Sequence, residues 1–442
     1  GNSRALYNAT WTNFMPRIGF AYSATPRWVI RGGYGITNYL EGTGANLRLT
    51  QNPPFHNDFD SIATVPTSTA TSYSPGAPLL ASNGFPIVTP PVTTFYAWQK
   101  NLQPSSVQEF SLTTEYQVTN TSSFQIGYVG ELGHHLVLPI YANQLTSPTA
   151  VAPYANVVGQ GGVVKVTASN SGSNYNALQA IYRERLTAGL EFTANYTYSK
   201  SLTDDIGYYG TSNTQQQYYQ QDTYNLGPEW GPAGQDVRNT FNATGTYALP
   251  FGRGQRFGGN SNFLVDEALG GWKISGSGVF YSGFPVTIAS NANYSNAVFA
   301  FTGAARPDQI NPVKIVNRSV ANWFGTDPGM RNACASDETT TTDPSSGATI
   351  PCVYASQSQF HFGDVRPGTL RAPGFLNVDM AVQKYFTIYK ENKLDFRADF
   401  FNAFNIASYG NPDNGISDPN FGQITTTRST SRHIQFELKY AF

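Results

Sequence analysis

The sequence predicts an all-β chain forming an antiparallel up-and-down transmembrane β-barrel, with about 11 strands present. Three observations predict it. Segments of about ten residues alternate apolar with polar side chains from one end of the chain to the other, and a strand sends such neighbours to opposite faces. The connections between them are alternately short and long, the asymmetry of a barrel with turns on one side of a membrane and loops on the other. Charged residues make up 12% of the 442 residues against 14% aromatics, about half the charge of an ordinary soluble domain.

Taken in order, Phe14–Ser23 carries Ile18, Phe20 and Tyr22 on one side, and Arg27–Tyr39 carries Trp28, Ile30, Tyr34 and Ile36. Ser106–Val118 sets Phe110, Leu112 and Tyr116 against Glu109, Ser111, Thr113 and Glu115. Ser122–Leu136 follows with Phe124, Ile126 and Tyr128, then Tyr175–Leu186 with Leu178, Ala180 and Tyr182. Leu190–Ser199 alternates without a fault: Leu190, Phe192, Ala194, Tyr196 and Tyr198 against Glu191, Thr193, Asn195, Thr197 and Ser199. Val237–Pro250 and Gly271–Phe284 come next, carrying Phe241 and Tyr247, and Trp272, Ile274 and Phe280. Phe375–Phe386, Lys393–Asn405 and Arg432–Phe442 complete the series. In the last of these, Ile434, Phe436, Leu438, Tyr440 and Phe442 hold every second position and the chain stops on an aromatic. That ending resembles the closing strand of a bacterial outer-membrane barrel.

Short connections fall at Ala24–Pro26, Thr119–Thr121, Thr187–Gly189 and Thr387–Asn392. Long ones, expected to be extracellular, fall at about 40–105, 137–174, 200–236, 285–374 and 406–431. Phe251–Gly270 is of medium length where a short turn is due. Its Gly-rich string GRGQRFGG (252–259) precedes no expected helix that could present amides to a phosphate, so it is expected to be a periplasmic turn. A β-sandwich has no reason for this short–long rhythm. An odd strand count leaves unpaired edges, costly in lipid. Residues 1–442 are therefore expected to be a single barrel region, the C-terminal half of a barrel of about 22 strands; a self-contained barrel of ten or twelve is the alternative. The start, GNSRALYNATW, has neither an initiator Met nor a signal region, so the chain is expected to be processed or a fragment.

The net charge of -1 and the lack of a Lys/Arg stripe argue against nucleic acid as a partner. No run of about 18 apolar residues occurs, which excludes a transmembrane helix and leaves barrel strands untouched. Cys334 and Cys352 sit eighteen apart in a turn-rich stretch. In an oxidising compartment they are expected to close a loop worth about 3 kcal/mol, the alternative being two free thiols.

Several longer strings resemble one family. They include PRIGFAYSATPRWVIRGGYGI (16–36), YNALQAIYRERLTAGLEFTANYTYSKSLTD (175–204), DVRNTFNATGTYALPFGRGQRF (236–257) and LDFRADFFNAFNIASYGNP (394–412). Together they look like the C-terminal barrel of Oar-like TonB-dependent receptors of acidobacteria-type genomes. The resemblance implies a Gram-negative outer-membrane receptor that binds a ligand outside and imports or otherwise translocates it. It implies as partners the outer-membrane lipid, the barrel assembly machinery through the last strand, and a TonB-type energising complex acting on an N-terminal plug. Neither a plug nor a TonB box is found in these residues. A non-energised barrel, a passive pore or adhesin-like, is the alternative.

No catalytic constellation, cofactor site or metal site stands out, and a non-enzymatic protein is expected. His134 and His135 read as surface imidazoles, His433 as facing the lumen, and His56 and His361 as loop residues without nearby partners. Asp204–Asp205 and NPDNGISDPN (411–420) offer oxygens for calcium, but their Asn-Pro, Asn-Gly and Asp-Pro pairs are ordinary turn formers. Charges within strands are more telling. Asp379, Asp395, Arg397, Asp399, Glu437 and Lys439 lie on faces opposite apolar residues, and facing lipid would be expensive for them, so they are expected to face the lumen. Loop aromatics Tyr208, Tyr209, Tyr218, Tyr219 and Trp230 are candidates for gripping a ligand, or for packing the loops on one another. Phe55, Phe59, Tyr224 and Trp323 belong to the same class.

Overall fold

Period-two patterning is realised as one long antiparallel meander in the computed structural model of the chain. The structure describes residues 8–40, 52, 94–147, 149–187, 189–204, 220–290, 305–358, 361–389 and 392–441. Eleven wall strands follow one another in space as in sequence. They are β1 (Arg17–Thr25), β2 (Trp28–Tyr39), β3 (Ser105–Gln117), β4 (Ser122–Tyr141), β5 (Val163–Thr187) and β6 (Leu190–Thr203). β7 (Asn239–Ala248), β8 (Trp272–Tyr281), β9 (Phe375–Tyr389), β10 (Asn392–Phe401) and β11 (His433–Ala441) complete the wall. Two short strands lie off this path: Thr94–Trp98 runs parallel to the start of β5, and Gly231–Pro232 pairs with the end of β6.

The pairing register turns each strand's alternation into two continuous faces. Ile434 lies opposite Phe400, Phe436 opposite Ala398 and Leu438 opposite Phe396. Val382 continues the Phe436–Ala398 row to Ile274, then Tyr247 and Leu190. The polar set matches likewise: Gln383 beside Arg397 beside Glu437, and Glu191 beside Thr246 beside Ser275. A slip of one residue would carry every apolar side chain to the wrong face. Among the described residues much of the apolar face is open: Ile18 is 71% exposed, Phe436 69% and Leu438 66%. The hollows of the wall are lined mainly by the polar side chains. The sheet is therefore concave on its polar side and convex on its apolar side.

Among the described residues, β1 and β11 each pair on one side only. Strand direction reverses at each of the ten pairings, so β1 and β11 run the same way. Joining them to each other would require a parallel pair in an otherwise antiparallel wall.

Three features depart from the sequence expectations. The loop expected at 137–174 shrinks to 142–162, because β4 runs on to Tyr141 and β5 begins at Val163. The ladder breaks its register at His134–Leu138, where His135 has φ 55°, and then resumes. Val137, Leu138 and Tyr141 are buried there, so both faces of this extension are covered and alternation disappears. Next, a helix does follow GRGQRFGG: Phe263–Leu269, with the Asn262 side chain accepting from Val265 N at its start. Finally, residues of the expected loops 285–374 and 406–431 form a core of their own. Val286, Ile288, Met330, Tyr354, Leu370 and Ile416 are buried together, with Phe324 and Phe421 5.1 Å apart at their centre. Cys334 and Cys352 form a disulfide beside it, Cα atoms 5.8 Å apart and both sulfurs' residues buried.

Candidate functional site

Strands β8 to β11 bring the sequence-predicted charges onto the concave face. Arg397 and Asp399 are two apart on β10, hence on one side, and the guanidinium donates to the carboxylate at 2.8 and 2.9 Å. Glu437 stands opposite Arg397 on β11, and Lys439 opposite Asp395. On the other flank Gln383 Nε2 donates to both oxygens of Asp395, at 3.1 and 3.0 Å. Asp379 accepts from Asn402 N at 2.8 Å and from Asn377 Nδ2 at 3.0 Å. All six predicted charges thus lie on one surface. Asp379, Arg397 and Asp399 border a hollow of about 480 Å³ with Glu191, Thr244 and Ser275. Such a surface can bind hydrated or hydrogen-bonding groups.

A second acidic position escaped the sequence reading. Glu109 on β3 and Glu131 on β4 stand directly opposite each other in register. Both border a hollow of about 700 Å³ that also includes Arg17 and Tyr175. Their spacing of 22 residues carries no local signal; only the register brings them together.

At the long-loop end, side chains are tied down rather than presented. Arg306 and Glu229 form a buried two-bonded pair at 2.7 and 2.9 Å, and Arg306 Nε donates to Val365 O at 2.7 Å. Gln221 Nε2 donates to Gly363 O at 3.0 Å while its Oε1 accepts from Arg306 N at 2.8 Å. Arg371 joins Asp236, to which Arg238 also approaches at 3.6 Å. Trp230 is partly covered and packs over Gly172, where an added Cβ would meet the ring at 3.7 Å. Trp323 donates from Nε1 to Arg371 O at 2.7 Å and lies under Arg318, 4.6 Å from its centroid. The Tyr224 hydroxyl donates to Gln144 O at 2.9 Å, and partial burial beside Asp222 pushes its pKa up. Tyr208, Tyr209, Tyr218, Tyr219, Phe55, Phe59, His56 and Phe442 lie outside the described residues.

The turn carboxylates serve the backbone. Asp204 Oδ1 accepts from Ser171 Oγ and Gly172 N at 2.6 and 2.8 Å, and Asp413 and Asp418 each accept from an amide two residues on. His361 does have a partner, contrary to expectation: its Nε2 is 3.0 Å from Asp308 Oδ1, 53 residues away in sequence. Among the described residues no group of three or more His, Cys, Asp or Glu side chains is placed to hold a metal ion.

Residues 1–435 match the model of a family described as outer membrane beta barrel domain. No curated protein matches the chain. Among solved structures it is similar to the outer membrane transporter YddB from Escherichia coli, with 9% identity and a TM-score of 0.47 over 96% of this chain and 39% of that one. It is also similar to the FrpB iron transporter from Neisseria meningitidis, with 10% identity and a TM-score of 0.44, covering 96% and 39%. The ferripyoverdine receptor of Pseudomonas aeruginosa gives 9% identity and a TM-score of 0.41, covering 96% and 32%. The chain thus spans between about a third and two fifths of the length of these proteins.

Proposed function

The chain belongs to the outer membrane beta barrel domain family, and from that membership we propose that it forms part of the wall of a TonB-dependent receptor or transporter. Its place is the bacterial outer membrane, its convex face against lipid. In this reading further strands pair with β1 and β11 to close the barrel, and a plug fills the polar interior. A ligand is bound at the long-loop end and passes inward when a TonB-type complex works on the plug. The role is that of a receptor and conduit, without bond-making chemistry. The segments quoted above for the Oar-like resemblance support this subtype.

The observation that carries the proposal is the partition of charge. Asp379, Asp395, Arg397, Asp399, Glu437 and Lys439 share the concave face, and a protein seated against it would find ready ion-pair and hydrogen-bond partners. The test uses the full-length product in its native membrane. Uptake of labelled candidate ligands is measured with the energising complex present and deleted. Uptake that stops on deletion supports the reading; uptake that continues unchanged points to a passive pore instead.

A further inference from the structure

The medium-length connection between β7 and β8 carries a short helix built inside out for water. In Phe263–Leu269, residues four apart share a side, so Leu264 and Ala268 adjoin Val265 and Leu269 on one arc. Asp266 and Glu267 occupy the other. The apolar arc is the open one: Leu264 is 76% exposed, Leu269 58% and Val265 41%. The two carboxylates are the more covered pair. Asp266 turns back into the connection, where Oδ1 accepts from Arg253 N. Phe251 and Phe257 add a tilted ring pair with centroids 5.5 Å apart, both about half exposed.

What fixes the helix in place also says which side of the wall it occupies. Its C-terminal carbonyls are held by two side chains of the apolar face. Trp272 Nε1 donates to Ala268 O at 2.9 Å, and Lys384 Nζ donates to Gly270 O. Trp272 and Lys384 are opposite one another in register, in line with Ile274 and Val382. Trp272 meets Phe396 edge-on at 6.3 Å across the same face. Lys384 is 2% exposed, with its Nζ 5.7 Å from the Trp272 ring centroid and 4.9 Å from that of Phe386. The helix is therefore tied to the convex, lipid-facing side, at the end of the short turns.

We infer that this connection is a lipid foot. The helix lies in the plane of the membrane, with Leu264, Val265, Ala268 and Leu269 in the acyl boundary of the phospholipid leaflet that borders the short-turn end. Continuity with the lipid-facing wall selects lipid as the occupant, since an apolar arc attached there meets the same medium as Trp272. Arg253 and Arg256 lie between the two aromatic residues in sequence, with Arg256 5.5 Å from the Phe257 centroid. They are the groups available to phosphates at the headgroup level, as in other in-plane membrane helices.

The test places a single fluorophore on the folded full-length protein in phosphatidylethanolamine/phosphatidylglycerol vesicles, at Leu264→Cys and, as a second site, at Leu269→Cys. Cys334 and Cys352 are bonded to each other and do not compete for the label; any cysteine outside residues 1–442 is replaced by serine beforehand. Asn120→Cys, in the short turn between β3 and β4, serves as the aqueous control. At both helix sites the expected result is a blue-shifted emission, quenching by lipid carrying a shallow nitroxide, and at least about fivefold less quenching by aqueous iodide than at position 120. Iodide quenching equal to the control would overturn the inference. So would labels that escape lipid quenching and become shielded only when periplasmic extract is added, which would assign the arc to a protein partner.

Discussion

Replacing Arg306 with methionine probes what holds the long-loop module together. The Arg306 and Glu229 side chains are 1% and 2% exposed. The substitution removes both bonds to the carboxylate and the one to Val365 O, leaving Glu229, among the described residues, with Gln221 N as a donor at 3.0 Å. A solvent-exposed pair would be worth at most about 1 kcal/mol. Here a buried charge loses its counter-charge, a loss of about 3–5 kcal/mol, or on the order of 100-fold or more in a local opening equilibrium. Hydrogen exchange of the detergent-folded protein reads it at the amides of Val365, bonded to Pro307 O, and Ile310, bonded to Val353 O. Both should exchange at least about 100-fold faster, while Ala243 in β7 stays unchanged. The double variant Arg306→Met/Glu229→Leu should recover most of the loss, because a buried pair exchanged for apolar groups is close to neutral. Exchange within about fivefold of the parent in the single variant, the range of an exposed pair, would refute the reasoning. A double variant as labile as the single would refute it too.

Other expectations can be checked on the same preparation. Reducing Cys334–Cys352 or replacing both with alanine should destabilise the module by about 3 kcal/mol, for a closure of 18 residues; protease nicking between residues 334 and 352 reports it. Among the described residues the buried Tyr354 hydroxyl meets no hydrogen-bond partner, and burial pushes its pKa well up. Tyr354→Phe should therefore stabilise the module, or leave it unchanged, by up to about 2 kcal/mol in a denaturant series. The parent should also lose stability as pH rises above the ordinary tyrosine range near 10, because unfolding then frees a phenol that ionises, and the Phe variant should lack that component. Lys384→Met removes a cation from the lipid-facing side, a relief of at most about 1 kcal/mol near the interface. It also removes a charged hydrogen bond worth about 1.5–3 kcal/mol. The net effect should be a destabilisation of about 1–2 kcal/mol in heat-modifiable gel mobility against temperature, and a stabilised variant would contradict the cap.

The wall was legible because lipid on one side and water on the other force a period of two that chance rarely sustains. Leu190–Ser199 shows it in sequence and keeps it in register with both neighbours. Where that pressure ends, the signal ends. Above His135 the β4–β5 ladder is buried on both faces, so Val137, Leu138 and Tyr141 look like a loop in sequence although they continue the strand. The helix Phe263–Leu269 is too short for a helical period to emerge. Lys384 interrupts the apolar series Leu376, Val378, Met380 and Val382, and its partner Gly270 O lies 114 residues away. The Arg306–Glu229 pair spans 77 residues, and nothing local in either segment points to the other. Charges inside strands were readable because each lies opposite apolar neighbours; how they pair followed only from the register.

The most direct measurement is an accessibility scan along β6 in lipid vesicles, one fluorescent label at a time from Phe192 to Tyr198. Labels at positions 192, 194, 196 and 198 should be quenched by nitroxide-bearing lipid, and those at 193, 195 and 197 by an aqueous quencher, in strict alternation. Equal quenching of both sets, or alternation in the opposite phase, would contradict a wall with its apolar face in the outer membrane.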